Sequence, residues 1–257
     1  MTEFCTAERD GHLLIVTINR PERMNALHPP ANFELEGIFN DFAADPDLWV
    51  AIITGAGDRA FSAGNDLRWQ AEGNKLEVPA TGFAGLTARF DLAKPVIAAV
   101  NGVAMGGGFE IALACDLIIA SDNAKFALPE PKVGLAALAG GLHRLPRQIG
   151  VKQAMGMILT GRQVPAAEGK ELGFVNEVVP AAELMAAAKR WAGLIMECSP
   201  MSIRASKESV YKGLDIANLN EAVTAKYPAV NALFKSEDLI EGPRAFAEKR
   251  KPNWTGK

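Results

Sequence analysis

The sequence is poor in the residues that build metal centres and covalent crosslinks. Among 257 residues there are three cysteines and three histidines. Cys5, Cys115 and Cys198 stand far apart, are odd in number, and form neither a CxxC pair nor a disulfide framework. That argues against a zinc ribbon or a disulfide scaffold and fits a reducing, cytoplasmic setting. His12, His28 and His143 have no HExxH or HxH spacing, so no metal is expected. His143, in Gly141-Leu142-His143-Arg144-Leu145-Pro146, reads as a capping or surface histidine. An excess of positive charge is missing too. Lys and Arg total 27 against 30 Asp and Glu, a formal net charge of -3. This leaves no electrostatic footprint for nucleic acid and no polybasic membrane patch. No apolar run approaches the roughly 18 residues of a membrane span. The start, Met1-Thr2-Glu3-Phe4-Cys5, lacks the basic and apolar regions of a signal peptide.

What the sequence has is an ordinary globular composition, 49% hydrophobic and 22% charged. Apolar stretches at Leu13 to Asn19, Trp49 to Thr54, Pro95 to Val100 and Leu117 to Ala120 read as strands. They are continuous rather than alternating, the pattern of strands buried on both faces of an α/β layered core. Leu35, Ile38, Phe39 and Phe42 follow helical spacing between Phe33 and Phe42. Residues 71–85 show no periodicity and read as a long connection of the lid or binding type. Past Gly150 the pattern turns helical: Gln153–Leu159, a long helix through Leu184, Ala188, Trp191 and Ile195, then Ser202–Lys212 and Leu219–Ser236. Residues 1–197 are expected to form a core that carries the site. Residues 198–257 are expected to form a helical appendage.

Two acidic residues stand where packing does not explain them. Glu110 follows Gly106-Gly107-Gly108-Phe109 and leads into Ile111-Ala112-Leu113-Ala114-Cys115. Glu130 stands in Phe126-Ala127-Leu128-Pro129-Glu130-Pro131. A carboxylate in apolar surroundings costs several kcal/mol unless it is paired, protonated or used. Three consecutive glycines opening a helix expose N–H groups at its positive end, which suits a phosphate, an oxyanion, or simply a tight turn. No Gly-Lys-Ser/Thr follows, and no acidic residue closes a dinucleotide fingerprint. A second glycine-bearing turn, Phe61-Ser62-Ala63-Gly64-Asn65-Asp66-Leu67, follows an apolar strand in the same way. Asp66 is placed to cap a helix beginning near Leu67. N–H groups from two such turns can converge on one carbonyl oxygen.

These stretches resemble the crotonase superfamily, the enoyl-CoA hydratase/isomerase group. The likeness rests on Phe61–Leu67, on Lys94-Pro95-Val96-Ile97-Ala98-Ala99-Val100-Asn101-Gly102, on Gly106–Glu110, Cys115-Asp116 and Phe126–Glu130, and on Leu159-Thr160-Gly161-Arg162. It implies a spiral of ββα units with C-terminal helices that assemble a homotrimer or a dimer of trimers. It implies an acyl-CoA thioester partner, with CoA as part of the substrate and no further cofactor. By resemblance the N–H groups of Asn65 and Gly107 form an oxyanion hole, and Glu110 and Glu130 handle water. Arg23, Met24, Ala26, Ala63, Asp66, Leu67 and Lys249 are assigned to CoA, Lys249 also reading as a solvated charge. Having both glutamates favours hydration or dehydration across C2–C3. Double-bond isomerisation and non-catalytic acyl-CoA binding stand as alternatives. Thr81–Thr87 and Ser236–Arg250 narrow the resemblance to a subgroup with tryptophan where this chain has Asn65. The acyl group is left between a carnitinyl type and a fatty 2-enoyl type. The loop 134–141 is expected to line its pocket. Trp69 and Glu72 are candidates to face a quaternary ammonium, with packing or surface roles as the alternative.

Overall fold

The computed structural model describes residues 3–257. The chain opens with an antiparallel pair, β1 (Cys5–Asp10) and β2 (Leu13–Ile18), followed by α1 (Pro29–Ala44). Leu35, Ile38, Phe39 and Phe42 are buried on one face of α1, as their spacing predicts. The chain then repeats one plan. β3 (Val50–Gly55) leads to β4 (Ala60–Ser62) and α2 (Leu67–Ala71). β5 (Val96–Val100) leads to β6 (Val103–Met105) and α3 (Gly107–Ala114). β7 (Leu117–Ser121) leads to β8 (Lys125–Ala127), α4 (Gly141–Ile149) and α5 (Val151–Thr160). Closing elements are β9 (Val164–Pro165), α6 (Ala166–Leu172), β10 (Glu177–Val179) and α7 (Leu184–Met196). Last come α8 (Pro200–Leu214), α9 (Leu219–Thr224), α10 (Pro228–Leu233) and α11 (Asp238–Ala247).

Each repeat contributes one strand to each of two sheets. The first has the order β1-β2-β3-β5-β7-β10, parallel from β2 onward. The second has the order β4-β6-β8-β9, with β4, β6 and β8 parallel. This is the crotonase-type ββα spiral with a helical C-terminal region. Both faces of the larger sheet are buried. Ala51 and Ile53 of β3 join a cluster with Phe39, Phe42, Phe61, Phe109 and Phe126. Their neighbours Val50 and Ile52 join a second cluster, against Leu184, Ala188 and Ala192 of α7. Two-sided burial is why these strands read as unbroken apolar runs.

Some elements differ from their sequence reading. Ala60–Ser62 is a strand, and the turn is confined to the residues after it. A three-residue strand carries no usable period. The stretch 219–236 is two helices, because Pro228 forces Tyr227 into an extended conformation (φ -105°, ψ 122°). The tail contains α11, which runs through Pro243. Among the described residues, no helix is long and apolar enough to cross a membrane.

A buried ion pair fixes the approach to the second sheet. Arg20 Nη1 lies 3.1 Å from Asp66 Oδ2, and the two side chains are 9% and 7% exposed. Arg20 also donates to the carbonyl of Ala26. Asp66 Oδ1 caps α2 by accepting from the Trp69 N–H at 3.2 Å, the capping role read from sequence. Burial pushes the Asp66 carboxyl up, but the Trp69 N–H and Arg20 outweigh it and hold it below the ordinary aspartate value. Removing one partner of such a pair strands a buried charge. Arg20→Met is expected to destabilise the fold by about 3–5 kcal/mol in urea denaturation at neutral pH. A depressed carboxyl gives stability that is present above its unfolded value, near pH 4, and lost as pH falls through its folded value. The gap between wild type and variant should therefore narrow below about pH 4. A gap constant down to acid pH would refute the pairing as its source.

Candidate active site

Three candidate positions lie just past three neighbouring parallel strands: Asn65 after β4, Gly107 after β6 and Glu130 after β8. Carboxyl ends of adjacent parallel strands are where α/β folds collect ligand-binding groups. The register pairs Ser62 with Ala104 and Met105 with Ala127, so the three exits leave side by side.

Close approach requires glycine here. A Cβ on Gly64 would sit 2.6 Å from Met105 O and 2.7 Å from Gly107 N, and Gly64 has φ 84°. A Cβ on Gly107 would sit 2.6 Å from the Phe83 ring. The turn after β4 is thus pressed against the start of α3. A single parallel bridge joins Leu27 to Asn65. Leu27 donates to Gly64 O at 2.7 Å and accepts from the Asp66 N–H at 3.0 Å. That uses the groups flanking Asn65 and turns its own N–H to the other side. Among the described residues, neither the Asn65 nor the Gly107 N–H donates to a protein acceptor. These are the two free donors that the sequence places at the turns.

Glu110 lies in the first turn of α3 and is 3% exposed. Its Oε1 accepts from the Gly141 N–H at 2.8 Å. Burial raises its pKa to about 7, against the lowering effect of the Gly141 N–H, with Glu130 pushing further up and the Ala139 N–H and Arg144 pulling down. Glu130 follows Pro129 at the start of a 3₁₀ turn. Its Oε1 is 2.9 Å from where a Gly106 Cβ would stand. Its Oε2 is buried with no hydrogen-bond partner, and burial raises its pKa. Glu130 thus stands beside the turn that opens α3, and both carboxyls are held above their ordinary value. A carboxyl raised to about 7, as Glu110 is, can take and give protons near neutrality.

The remaining sequence-assigned positions divide. Arg23 ends a 3₁₀ turn, and Met24 and Asn25 follow with positive φ (54° and 55°). Asn25, fully buried, holds this loop by donating to Ala56 O and Ala60 O and accepting from the Arg20 N–H. The Ala63 N–H donates to Met24 O at 2.9 Å, which brings Met24, Ala26 and Ala63 to the rim beside Asn65. Leu67 is exposed. Asp66 is committed to Arg20 and the helix cap. Lys249, also at positive φ (53°), follows α11, and among the described residues no hydrogen bond or ion pair links it to 20–27 or 61–67. Trp69 is held edge-on to His28 at 5.0 Å, and Glu72 is exposed. Gly141, the end of the 134–141 stretch and the first residue of α4, touches Glu110. Sequence reasoning placed Arg20 and Asn25 only within the stretch 20–27 expected along CoA, not as its braces, and gave Arg144 no role. An asparagine after an arginine-proline turn was the only signal for the second. Among the described residues, no group of three or more His, Cys, Asp or Glu is arranged to hold a metal.

Comparison with known proteins gives one direction. The family model described as enoyl-CoA hydratase/isomerase matches residues 8–257. Carnitinyl-CoA dehydratase of Escherichia coli strain K12 is 46% identical over 266 residues, covering 100% of both chains. The enzyme of the same name from Salmonella enteritidis PT4 is 44% identical over the same coverage. Among solved structures, an enoyl-CoA hydratase from Mycobacterium tuberculosis H37Rv superposes with a TM-score of 0.93 at 37% identity, over 99% of each chain. One from Bacillus anthracis gives 0.89 at 33% identity, over 99% of this chain and 100% of that one.

Glu110 yields a stability test independent of any reaction. Its folded pKa lies above the unfolded value, so its contribution is favourable below about pH 4.5 and is lost as pH rises through about 7. That shift corresponds to roughly 3 kcal/mol. The stability of Glu110→Gln relative to wild type should rise by up to that amount between about pH 4.5 and pH 8 in urea unfolding. A pH-independent difference would contradict the buried, charge-opposed setting.

Proposed function

The chain belongs to the enoyl-CoA hydratase/isomerase family, and on that premise we propose that Glu110 and Glu130 add water to, or remove it from, the C2–C3 bond of an acyl-CoA thioester. The observation that carries this reading is the pairing of two raised carboxyls, Glu110 buried and Glu130 half-buried, with two backbone N–H groups that have no protein acceptor. The thioester oxygen sits between the N–H groups of Asn65 and Gly107. Polarised there, the carbonyl makes C3 electrophilic and lets charge collect on oxygen as the enolate forms. Glu110 takes a proton from water as the water oxygen bonds to C3. Glu130 delivers a proton to C2, and the enolate collapses. Glu110 is then protonated and Glu130 ionised, so one proton must pass between them before the next cycle. Glu130 is among the charges that raise Glu110, a proximity that suits that exchange. Dehydration runs the same steps backward.

No metal or further cofactor is needed for these steps. The CoA chain lies along Arg23, Met24, Ala26, Ala63, Asp66 and Leu67, and Lys249 approaches a CoA phosphate. Asp66 acts there through the turn it braces. Full-length identity with carnitinyl-CoA dehydratases puts carnitinyl-CoA beside simple 2-enoyl thioesters as a substrate to test. Residues 198–257 form the oligomerisation region of a trimer or a dimer of trimers. Exposed apolar side chains there, including Leu214, Leu219, Val223, Phe234 and Phe246, support it. The cytoplasm is the proposed compartment.

Conjugated-thioester absorbance, followed with crotonyl-CoA, carnitinyl-CoA and longer 2-enoyl esters, tests the proposal. Glu110→Gln and Glu130→Gln should each lower kcat by about 10²–10⁴-fold. If one variant kept most of its activity while C2–C4 proton exchange persisted, the enzyme would be an isomerase. If the protein bound CoA esters but turned none over, the catalytic reading would fail.

A further inference from the structure

We propose that Arg144 is a positioning residue that ties the oxyanion segment to Glu110, so that the two halves of the site keep one geometry. This rests on the acid/base reading of Glu110 given above. The case begins with where the guanidinium goes. Arg144 lies in the first half of α4, where the sequence offers only a basic residue in a short, proline-interrupted helix. Its Nη2 donates to Thr87 O at 2.8 Å. Its Cζ stands 5.5 Å from the centroid of the Phe90 ring. Its Nη1 occupies the space that a Cβ on Gly140 would fill, and Gly140 has φ 108°. One planar group therefore presses on the segment 87–90 and on the turn at Gly140.

Each contact leads to a catalytic position. From Gly140 the chain passes to Gly141, whose N–H donates to Glu110 Oε1 at 2.8 Å. From Thr87, the hydroxyl accepts from the Phe83 N–H at 2.8 Å. The Phe83 ring is then packed against Gly107, leaving no room for a Cβ. Arg144 thus stands between two short chains of contact. One ends on the acid/base glutamate, the other on an oxyanion donor. A lysine could supply the charge but not the planar fork that spans both.

The charge has its own effect. The ionisable groups facing Glu110 are Glu130, which raises its pKa, and Arg144, which lowers it. Arg144 itself faces Glu110, Cys115 at the end of α3 and Tyr211 of α8. Burial raises both the Cys115 thiol and the Tyr211 phenol, so both are neutral near pH 7. Among the described residues, Arg144 is therefore the one cation of the groups that face Glu110.

The test separates charge from geometry. Carboxyl ¹³C titration of Glu110, assigned by its loss in Glu110→Gln, is compared in wild type, Arg144→Met and Arg144→Lys, with kcat and KM on crotonyl-CoA. Arg144→Met should move the Glu110 midpoint upward, shift the acid limb of kcat the same way, and lower kcat about 10–100-fold with little change in KM. Arg144→Lys should restore the midpoint yet keep a kcat deficit. A folded Arg144→Met with an unmoved midpoint, or an Arg144→Lys with wild-type kcat, overturns the proposal. Should Arg144→Met not fold, the kcat of Arg144→Lys decides alone. If Glu110→Gln stays active while the midpoint still moves in Arg144→Met, the acid/base reading fails and the tie between Arg144 and Glu110 stands.

Discussion

The site depends on the parallel pairing of β4, β6 and β8, three strands of three residues each. Neighbouring strands lie roughly 4.8 Å apart, so the chain leaving each one emerges beside the next. Asn65, Gly107 and Glu130 inherit that spacing, being two or three residues past Ser62, Met105 and Ala127. The pairing tolerates no bulk between the exits. A Cβ on Gly108 would run into the Ser62 carbonyl, and one on Gly64 into Met105 O and Gly107 N. The glycine run therefore serves sheet packing and donor exposure at once. The two readings left open from sequence, a tight turn and an anion site, describe the same backbone.

On this frame the electrostatics are set by opposition. Glu110 is buried, which disfavours its charge, yet Gly141 supplies an N–H that favours it. Glu130 has burial without a partner for Oε2. Neither carboxyl is at its stability optimum. A neutral amide would suit the surroundings of Glu110 better at alkaline pH. Positions that lower stability and hold polar groups without partners are those that chemistry requires. Asp66 shows the contrary case. It is equally buried, but a guanidinium and a helix N-terminus stabilise its charge, and it is bound into structure.

Much of this was legible in the sequence, and the exceptions have physical causes. The larger sheet announced itself because burial on both faces writes continuous apolar runs. Glu110 and Glu130 stood out because their neighbours are apolar. The smaller sheet was not legible as strands, since three residues carry no period, although its turns were found from glycine and asparagine. The partnership of Arg20 with Asp66 joins residues far apart in sequence, as does that of Lys94 with the carbonyls of Phe42 and Asp45. Nothing local in either sequence stretch signals them. The helix read across 219–236 failed at Pro228, a breaker whose effect on the preceding residue is a local rule that the apolar spacing masked.

The proposed catalytic groups and the loops proposed to select the acyl group lie on different parts of the fold. The candidate reacting groups stand on strand ends and on the first turn of α3, elements anchored by a core cluster that includes Phe61, Phe109 and Phe126. Such positions change only with the sheet. The segments 72–82 and 134–140 are loops, and Leu76, Val78, Leu135 and Leu138 are exposed on them. Loops accept substitution at little cost to the core. Only the junction of the 134–140 loop with α4 is tied to the chemistry, through Gly141 and Glu110. Asn65 is divided in the same way. Its N–H is the donor proposed for the oxyanion pair, while its side chain donates to Gln70 Oε1 on α2 at 3.2 Å. A tryptophan there, as in the subgroup that the sequence resembles, would keep the N–H and alter what the side chain meets. On the proposed reading, the reaction is therefore inherited with the backbone, and the acyl group is chosen by side chains that the backbone leaves free to vary.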